Sequence, residues 1–317
     1  MVRLARREAA QAPRGVVNLA TMPRLAKLKK PMRDDPPANS CQRILLDDWG
    51  RKMNESKAFA GYFHNGLPYN RVGHGPRPLV IFHGLLFENK PLSARWTFLY
   101  SSYYKAWEDD YTVYIVLRKP HLPKGYSIQD MADDYAVMIR EEFGGPVDVI
   151  GVSTGGSIAQ PFAANHPDLV RKLVIHSSAH TLSDSAKQVQ LRVGYWGGQR
   201  QWRKAYAAML SPMPYPKPVI WISALLAGIF GAAEDPSDLV VTVEAEDKFN
   251  FKDRLAQITA PTLVIAGTKD PFYTVDLFRE TAEGIPNAEL ILYEGKGHPA
   301  SGKQFNQDVL TFLRKGE

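Results

Sequence analysis

The sequence predicts an α/β protein: a doubly wound, mostly parallel sheet with a helical segment inserted late in the chain. Three observations carry that prediction. Apolar runs of four to seven residues recur with helix-like stretches between them, at Leu79–Phe82, Tyr111–Leu117, Val147–Ile150, Val170–His176, Thr262–Gly267 and Ala288–Tyr293. Such runs suit strands covered on both faces. The alternation then stops over 177–260, where paired glycines (Gly197, Gly198), four prolines (Pro212, Pro214, Pro216, Pro218) and clustered aromatics appear, and it restarts at Pro261. Finally, Val147–Gln160 passes from an apolar run through Gly151-Val152-Ser153-Thr154-Gly155 into a helical pattern, the signature of a sharp strand-to-helix turn.

The elements follow in order. Residues 1–52 read as a basic, largely flexible extension, with Pro31, Pro36 and Pro37 breaking any helix; Ile44–Met53 fits a short helix or a strand equally. The core is expected over 53–176 and 261–317, with the helical insert over 177–260. Ala58–Phe63 and Leu67–Val72 flank His64-Asn65-Gly66 as a hairpin. A helical region near Leu92–Trp107 leads to the strand at Tyr111. Tyr126–Glu142 reads as a helix capped by Ser127, with apolar positions at Ile128, Met131, Ala132, Tyr135, Met138 and Ile139. Within the insert, Val219–Ala233 is nearly all apolar but only 15 residues long. That is short of a membrane span, so it is expected as a buried helix of a small lobe, with one face on a pocket. A helix over Thr274–Ala282 and a closing amphipathic helix bearing Phe305, Val309, Leu310 and Leu313 complete the pattern.

At 44% hydrophobic and 23% charged, the 317 residues have the composition of a soluble globular chain with one large core. The net charge of +6 is uneven: nine Lys/Arg and one acid fall in residues 1–33, leaving thirty bases against thirty-two acids elsewhere. The body is near neutral, which argues against a nucleic-acid groove. The N-terminus lacks the apolar core of a secretory signal. Its Arg-rich, acid-poor character fits an organelle transit peptide in part, but it is poor in Ser; a solvated arm, or residues ahead of a later start at Met32 or Met53, fits better. The expected location is cytoplasmic. Cys41 is the only cysteine, so no intrachain disulfide forms, and no CxxC or HExxH spacing calls for a metal.

The chemistry centres on Ser153. A hydroxyl on a strained turn is lifted above the sheet edge, and the next N–H, that of Thr154, points to the same space at a helix N-terminus. Serine needs a base, and the base needs a carboxylate to fix its tautomer. Asp270 lies just past the apolar run 262–267 and His298 just past 288–293. Both therefore reach the carboxyl edge of the sheet, where a doubly wound fold places its ligand site. His83 and His176 compete as bases but read better as packing residues; Glu294 competes with Asp270 but lies close in sequence to His298. His64, His74, His121, His166 and His180 have no evident partner.

Phe82-His83-Gly84, Gly151-Val152-Ser153-Thr154-Gly155, Leu263 to Pro271 (LVIAGTKDP) and Gly297-His298-Pro299 together resemble the α/β-hydrolase superfamily over about residues 56–317. The resemblance implies Ser153 as nucleophile, His298 as general base and Asp270 as its charge partner. It implies an oxyanion hole from the N–H groups of Thr154 and Leu85, no cofactor, and a cap formed by 177–260. One departure stands out: Leu85-Leu86-Phe87 follows His83-Gly84 without the extra glycines of many lipases. A Ser at the elbow argues against branches that need a carboxylate nucleophile. The expected activity is hydrolysis of a carboxylic ester or related acyl bond of a small, largely apolar substrate. The alternatives are the same triad acting on a C–C, lactone, thioester or amide bond, or a ligand-binding receptor on the same scaffold.

Overall fold

A computed structural model of the chain describes residues 59–93, Thr97 and 103–316. The expectations for the 1–52 extension, Cys41, Ile44–Met53 and most of the helix near Leu92–Trp107 lie outside the described residues.

The described residues hold one eight-stranded sheet in the order β1-β2-β4-β3-β5-β6-β7-β8. The strands are β1 (Phe59–Tyr62), β2 (Pro68–Val72), β3 (Arg77–Phe82), β4 (Tyr111–Val116), β5 (Val147–Val152), β6 (Val170–His176), β7 (Thr262–Gly267) and β8 (Ala288–Tyr293). β1 and β2 form the expected hairpin, closed by Gly66 at φ 89°. β2 joins β4 antiparallel, and every pairing from β4 through β3 to β8 is parallel. β3 begins two residues ahead of its apolar run, because Arg77 and Pro78 sit opposite Tyr111 and Thr112 and backbone pairing needs no apolar side chain.

Helices α1 (Ile128–Phe143), α2 (Thr154–Asn165), α7 (Val275–Gly284) and α8 (Lys303–Arg314) connect or close the sheet. Ser127 caps α1 in a reciprocal capping box: its hydroxyl accepts from the Asp130 N–H, while the Asp130 carboxylate accepts from the Ser127 N–H. Successive strand residues point to opposite faces. Val80, Phe82, Val149 and Ile175 pack with α1, α2 and α7, whereas Leu79, Ile81, Ile150 and Val174 pack with Trp107 and with Phe305, Val309 and Leu313 of α8.

Between β6 and β7 lie four helices, α3 (Asp184–Gly198), α4 (Trp202–Leu210), α5 (Lys217–Phe230) and α6 (Ser237–Asp247). α3 and α6 pack together, and α5 lies chiefly on α4. The expectation of a buried helix at Val219–Ala233 is corrected here. In α5 Ala224 is buried, but Val219, Trp221, Ile222 and Leu226 are exposed. A helix apolar all round is normally enclosed; this one has a neighbour on one side.

The turn from β5 to α2 depends on close approach. A Cβ on Gly151 would lie 2.6 Å from the Gly156 Cα, and one on Gly155 would lie 1.9 Å from the Phe82 carbonyl oxygen. Both contacts are with backbone, which cannot swing aside. Gly155→Ala is expected to cost about 3 kcal/mol of stability, the upper end for overpacking, read as a lowered urea midpoint at unchanged m-value.

Candidate active site

Ser153 sits between β5 and α2 at φ 53°, ψ −123°, a region few non-glycine residues enter. Three backbone bonds hold it. Its N–H donates to the His176 carbonyl (3.0 Å), and its own carbonyl accepts from Gly156 (2.7 Å) and Ser157 (3.3 Å). Gly84, on the loop after β3, lies against it: a Cβ there would be 3.3 Å from the Ser153 Cβ.

Asp270 follows β7. Its Oδ1 accepts from the N–H groups of Phe272 (2.9 Å) and Tyr273 (3.2 Å). That leaves Oδ2 for the His298 Nδ1 at 2.7 Å. The Asp270 side chain is fully buried and that of His298 is 8% exposed. The His298 loop is fastened at two points. Gly267 admits it, since a Cβ there would lie 2.2 Å from the Lys296 carbonyl oxygen. Beyond it, Ala300 donates its N–H to the Ser177 Oγ (3.0 Å) and its carbonyl meets the His176 Nε2 (2.6 Å). His298 Nε2 then stands 3.0 Å from the Ser153 Oγ. With Nδ1–H directed to a carboxylate, Nε2 is the basic nitrogen and the serine hydroxyl donates to it.

The alpha/beta hydrolase family matches residues 66–307. The chain belongs to that family. A 2-hydroxy-6-oxononadienedioate/2-hydroxy-6-oxononatrienedioate hydrolase of a Pseudomonas species is 24% identical over 273 residues, covering 80% of this chain and 94% of its own. An alpha/beta hydrolase enzyme from a Medee basin deep-sea metagenome library superposes with a TM-score of 0.67 at 15% identity, over 79% of this chain and 96% of its own. The enol-lactonase from Burkholderia xenovorans LB400 gives 0.64 at 19% identity, over 81% and 100%. These structural likenesses concern the fold.

For this alpha/beta hydrolase, the rival residues fall elsewhere. Glu294 is exposed. His176 stacks on Phe305 at 4.2 Å, and burial pulls its pKa down to about 4, so a neutral ring donates to Ala300. His83 is likewise pulled to about 4, chiefly by burial. Its neutral Nδ1–H donates to the Gly84 carbonyl at 3.1 Å. His74, His121 and His166 meet the carboxylates of Asp109, Asp235 and Asp133, and His180 meets Thr281 and Glu280.

Two site residues escaped sequence reasoning. Arg118 follows β4 and is buried. Its Nη1 donates to the carbonyls of both His83 and Gly84 at 3.1 Å, with Glu246 and Asp238 close by. In a trans peptide the carbonyl and the next N–H point opposite ways. Drawing the Gly84 carbonyl toward Arg118 therefore turns the Leu85 N–H away from Arg118. Glu246, on α6, is fully buried. It accepts from the hydroxyls of Thr154 (2.8 Å), Ser157 (3.0 Å) and Tyr273 (3.4 Å). The signal lay in the spacing: Leu239, Val243 and Glu246 share one helical face, and an acid on an apolar stripe needs donors.

Burial raises the Glu246 pKa above its ordinary 4.5. The folded state then holds a proton that the unfolded state releases, so this group's contribution to stability is greatest below pH 4.5 and falls as pH rises through the folded-state pKa. Glu246→Gln carries no such titration. Its urea midpoint relative to the parent is expected to improve steadily on going from about pH 4.5 to about pH 8, whereas parallel pH curves would refute the assignment.

Proposed function

We propose that this enzyme hydrolyses a carboxylic ester, or a related acyl bond, of a small and largely apolar substrate through Ser153, His298 and Asp270. The observation that carries the reading is the unbroken relay from Asp270 Oδ2 to His298 Nδ1 (2.7 Å) and from His298 Nε2 to Ser153 Oγ (3.0 Å). Ser153 Oγ attacks the carbonyl carbon while its proton passes to His298 Nε2. Asp270 stabilises the imidazolium that results. The substrate carbonyl oxygen, now an oxyanion, takes hydrogen bonds from the N–H groups of Thr154 and Leu85. Thr154 supplies a first-turn amide with no intrahelical acceptor. Collapse breaks the acyl–oxygen bond, and the alcohol leaves with the proton from His298. Water, deprotonated by the same imidazole, then attacks the acyl-enzyme and releases the acid. The insert over 177–260 acts as the cap over this centre.

A second reading keeps these residues but changes the bond. A relative named for a dioate hydrolase and a fold neighbour named as an enol-lactonase favour including C–C and lactone substrates beside esters, thioesters and amides.

Two measurements test the proposal. Ser153→Ala is expected to lower kcat/KM on short acyl esters by at least about 10⁴-fold and to abolish labelling by a fluorophosphonate. Ligand binding with no turnover and no labelling of the parent would instead indicate a receptor. Arg118→Met should release the Gly84–Leu85 peptide and lower kcat by about 10²-fold, the scale of one lost oxyanion donor. KM should change little and Arg118→Lys should recover part of the loss; a change confined to KM would sink the orienting role.

A further inference from the structure

The outer surface of the insert is both basic and apolar. Residues 185–233 contain six bases (Lys187, Arg192, Arg200, Arg203, Lys204, Lys217) and no acid, while the rest of 34–317 holds twenty-four bases against thirty-two acids. Among the described residues, none of these six cations forms an ion pair with a carboxylate. Among the described residues, five of the ten exposed large apolar side chains fall within twelve residues here: Tyr215, Val219, Trp221, Ile222 and Leu226.

Their placement is ordered. On α5, Val219, Ile222 and Leu226 recur at i, i+3 and i+7 and form one stripe. They are 46%, 51% and 51% exposed. The opposite side carries buried Ala224 and half-buried Gly228, where a Cβ would lie 3.0 Å from the Arg203 backbone N. Trp221, three and seven residues before Ala224 and Gly228, lies on the α4 side of α5 at 61% exposure, with the Arg203 guanidinium 5.9 Å from its ring. Lys204 sits 4.2 Å from the Trp196 ring. Arg200, Arg203 and Lys204 line the groove between α4 and α5 with Trp202 and Trp221.

We propose that this face docks on the surface of a bilayer containing anionic phospholipid. An exposed apolar stripe of this kind marks an interaction site. Cations in the adjoining α4–α5 groove fit lipid phosphates, and the exposed Trp221 there fits the boundary between headgroups and acyl chains. At 14 residues α5 is about 21 Å long. It is too short to cross a membrane, so it lies in the plane of the surface. A second copy of the chain is the poorer occupant, since two such faces, each presenting Arg200, Arg203 and Lys204 without a carboxylate partner, repel.

The test is flotation of the full-length protein with vesicles of phosphatidylcholine alone, or with about a third phosphatidylglycerol. Co-flotation with the anionic vesicles at low salt is expected. Ile222→Asp/Leu226→Asp should reduce it by about tenfold or more while ester turnover and urea midpoint stay unchanged. Brominated lipid should quench the parent's tryptophan emission, and Trp221→Phe should lose most of that quenching even if the double variant folds poorly. Parent protein that stays at the bottom overturns the proposal. So does undiminished flotation of the double variant, which would assign binding to the basic residues 1–33. A concentration-dependent dimer abolished by the double variant would assign the face to a second copy and overturn it too.

Discussion

The backbone of Ser153 is the constraint on which the site rests. A non-glycine residue at φ 53°, ψ −123° costs on the order of 1–3 kcal/mol and persists only where its neighbours over-determine it. Here they do. β6 fixes its N–H through the His176 carbonyl, the first turn of α2 fixes its carbonyl, and bare glycine Cα atoms let β3 and α2 close in on either side. The same β6 end reaches the other partner of the serine. His176 and Ser177 hold Ala300, two residues past His298. One strand terminus thus sets both ends of the Ser153–His298 hydrogen bond, and small shifts in β6 move both residues together.

Behind that pair lies a buried polar layer with two carboxylates. Asp270 faces the His298 imidazole and Glu246 faces the Thr154 hydroxyl. Tyr273 joins them: its N–H donates to Asp270 and its phenol to Glu246. Two negative charges near a site proposed to develop a third would oppose catalysis. Two features soften this. Burial raises the Glu246 pKa, which favours its neutral form, and the Arg118 guanidinium lies close enough to act on it electrostatically. The burial of α6 against the core is thus coupled to the electrostatics of the elbow. A buried polar cluster of this kind specifies one arrangement because each unpaired member would be costly.

Much of this was legible in the sequence because it is encoded locally. The runs at 170–176, 262–267 and 288–293 became strands with the same ends. Ser127 announced its helix through a cap made three residues away. Gly151 to Gly155 announced the elbow, and Asp270 and His298 were reachable because strand ends share one edge. Arg118 and Glu246 were not legible as site residues, since their partners lie 34 and 35, and 92 and 89, positions away. Nothing near Arg118 says that it will meet two carbonyls. α5 was misjudged for a different reason. Hydropathy reports how strongly a segment avoids water, not whether the chain itself supplies the cover.

The insert therefore divides into an inner and an outer half with different physics. α6 is pinned inward by Glu246, and Asp238 on the same helix accepts the Leu122 N–H at 2.7 Å; lifting α6 would break several buried hydrogen bonds at once. α5 is held chiefly by α4, through small residues that let the two backbones approach. A load applied to the outer stripe acts on a helix whose main contact is α4. Changes at Ile222 and Leu226 can thus be separated from chemistry at Ser153, whereas changes at Glu246 cannot, because its acceptor oxygens hold the first turn of α2.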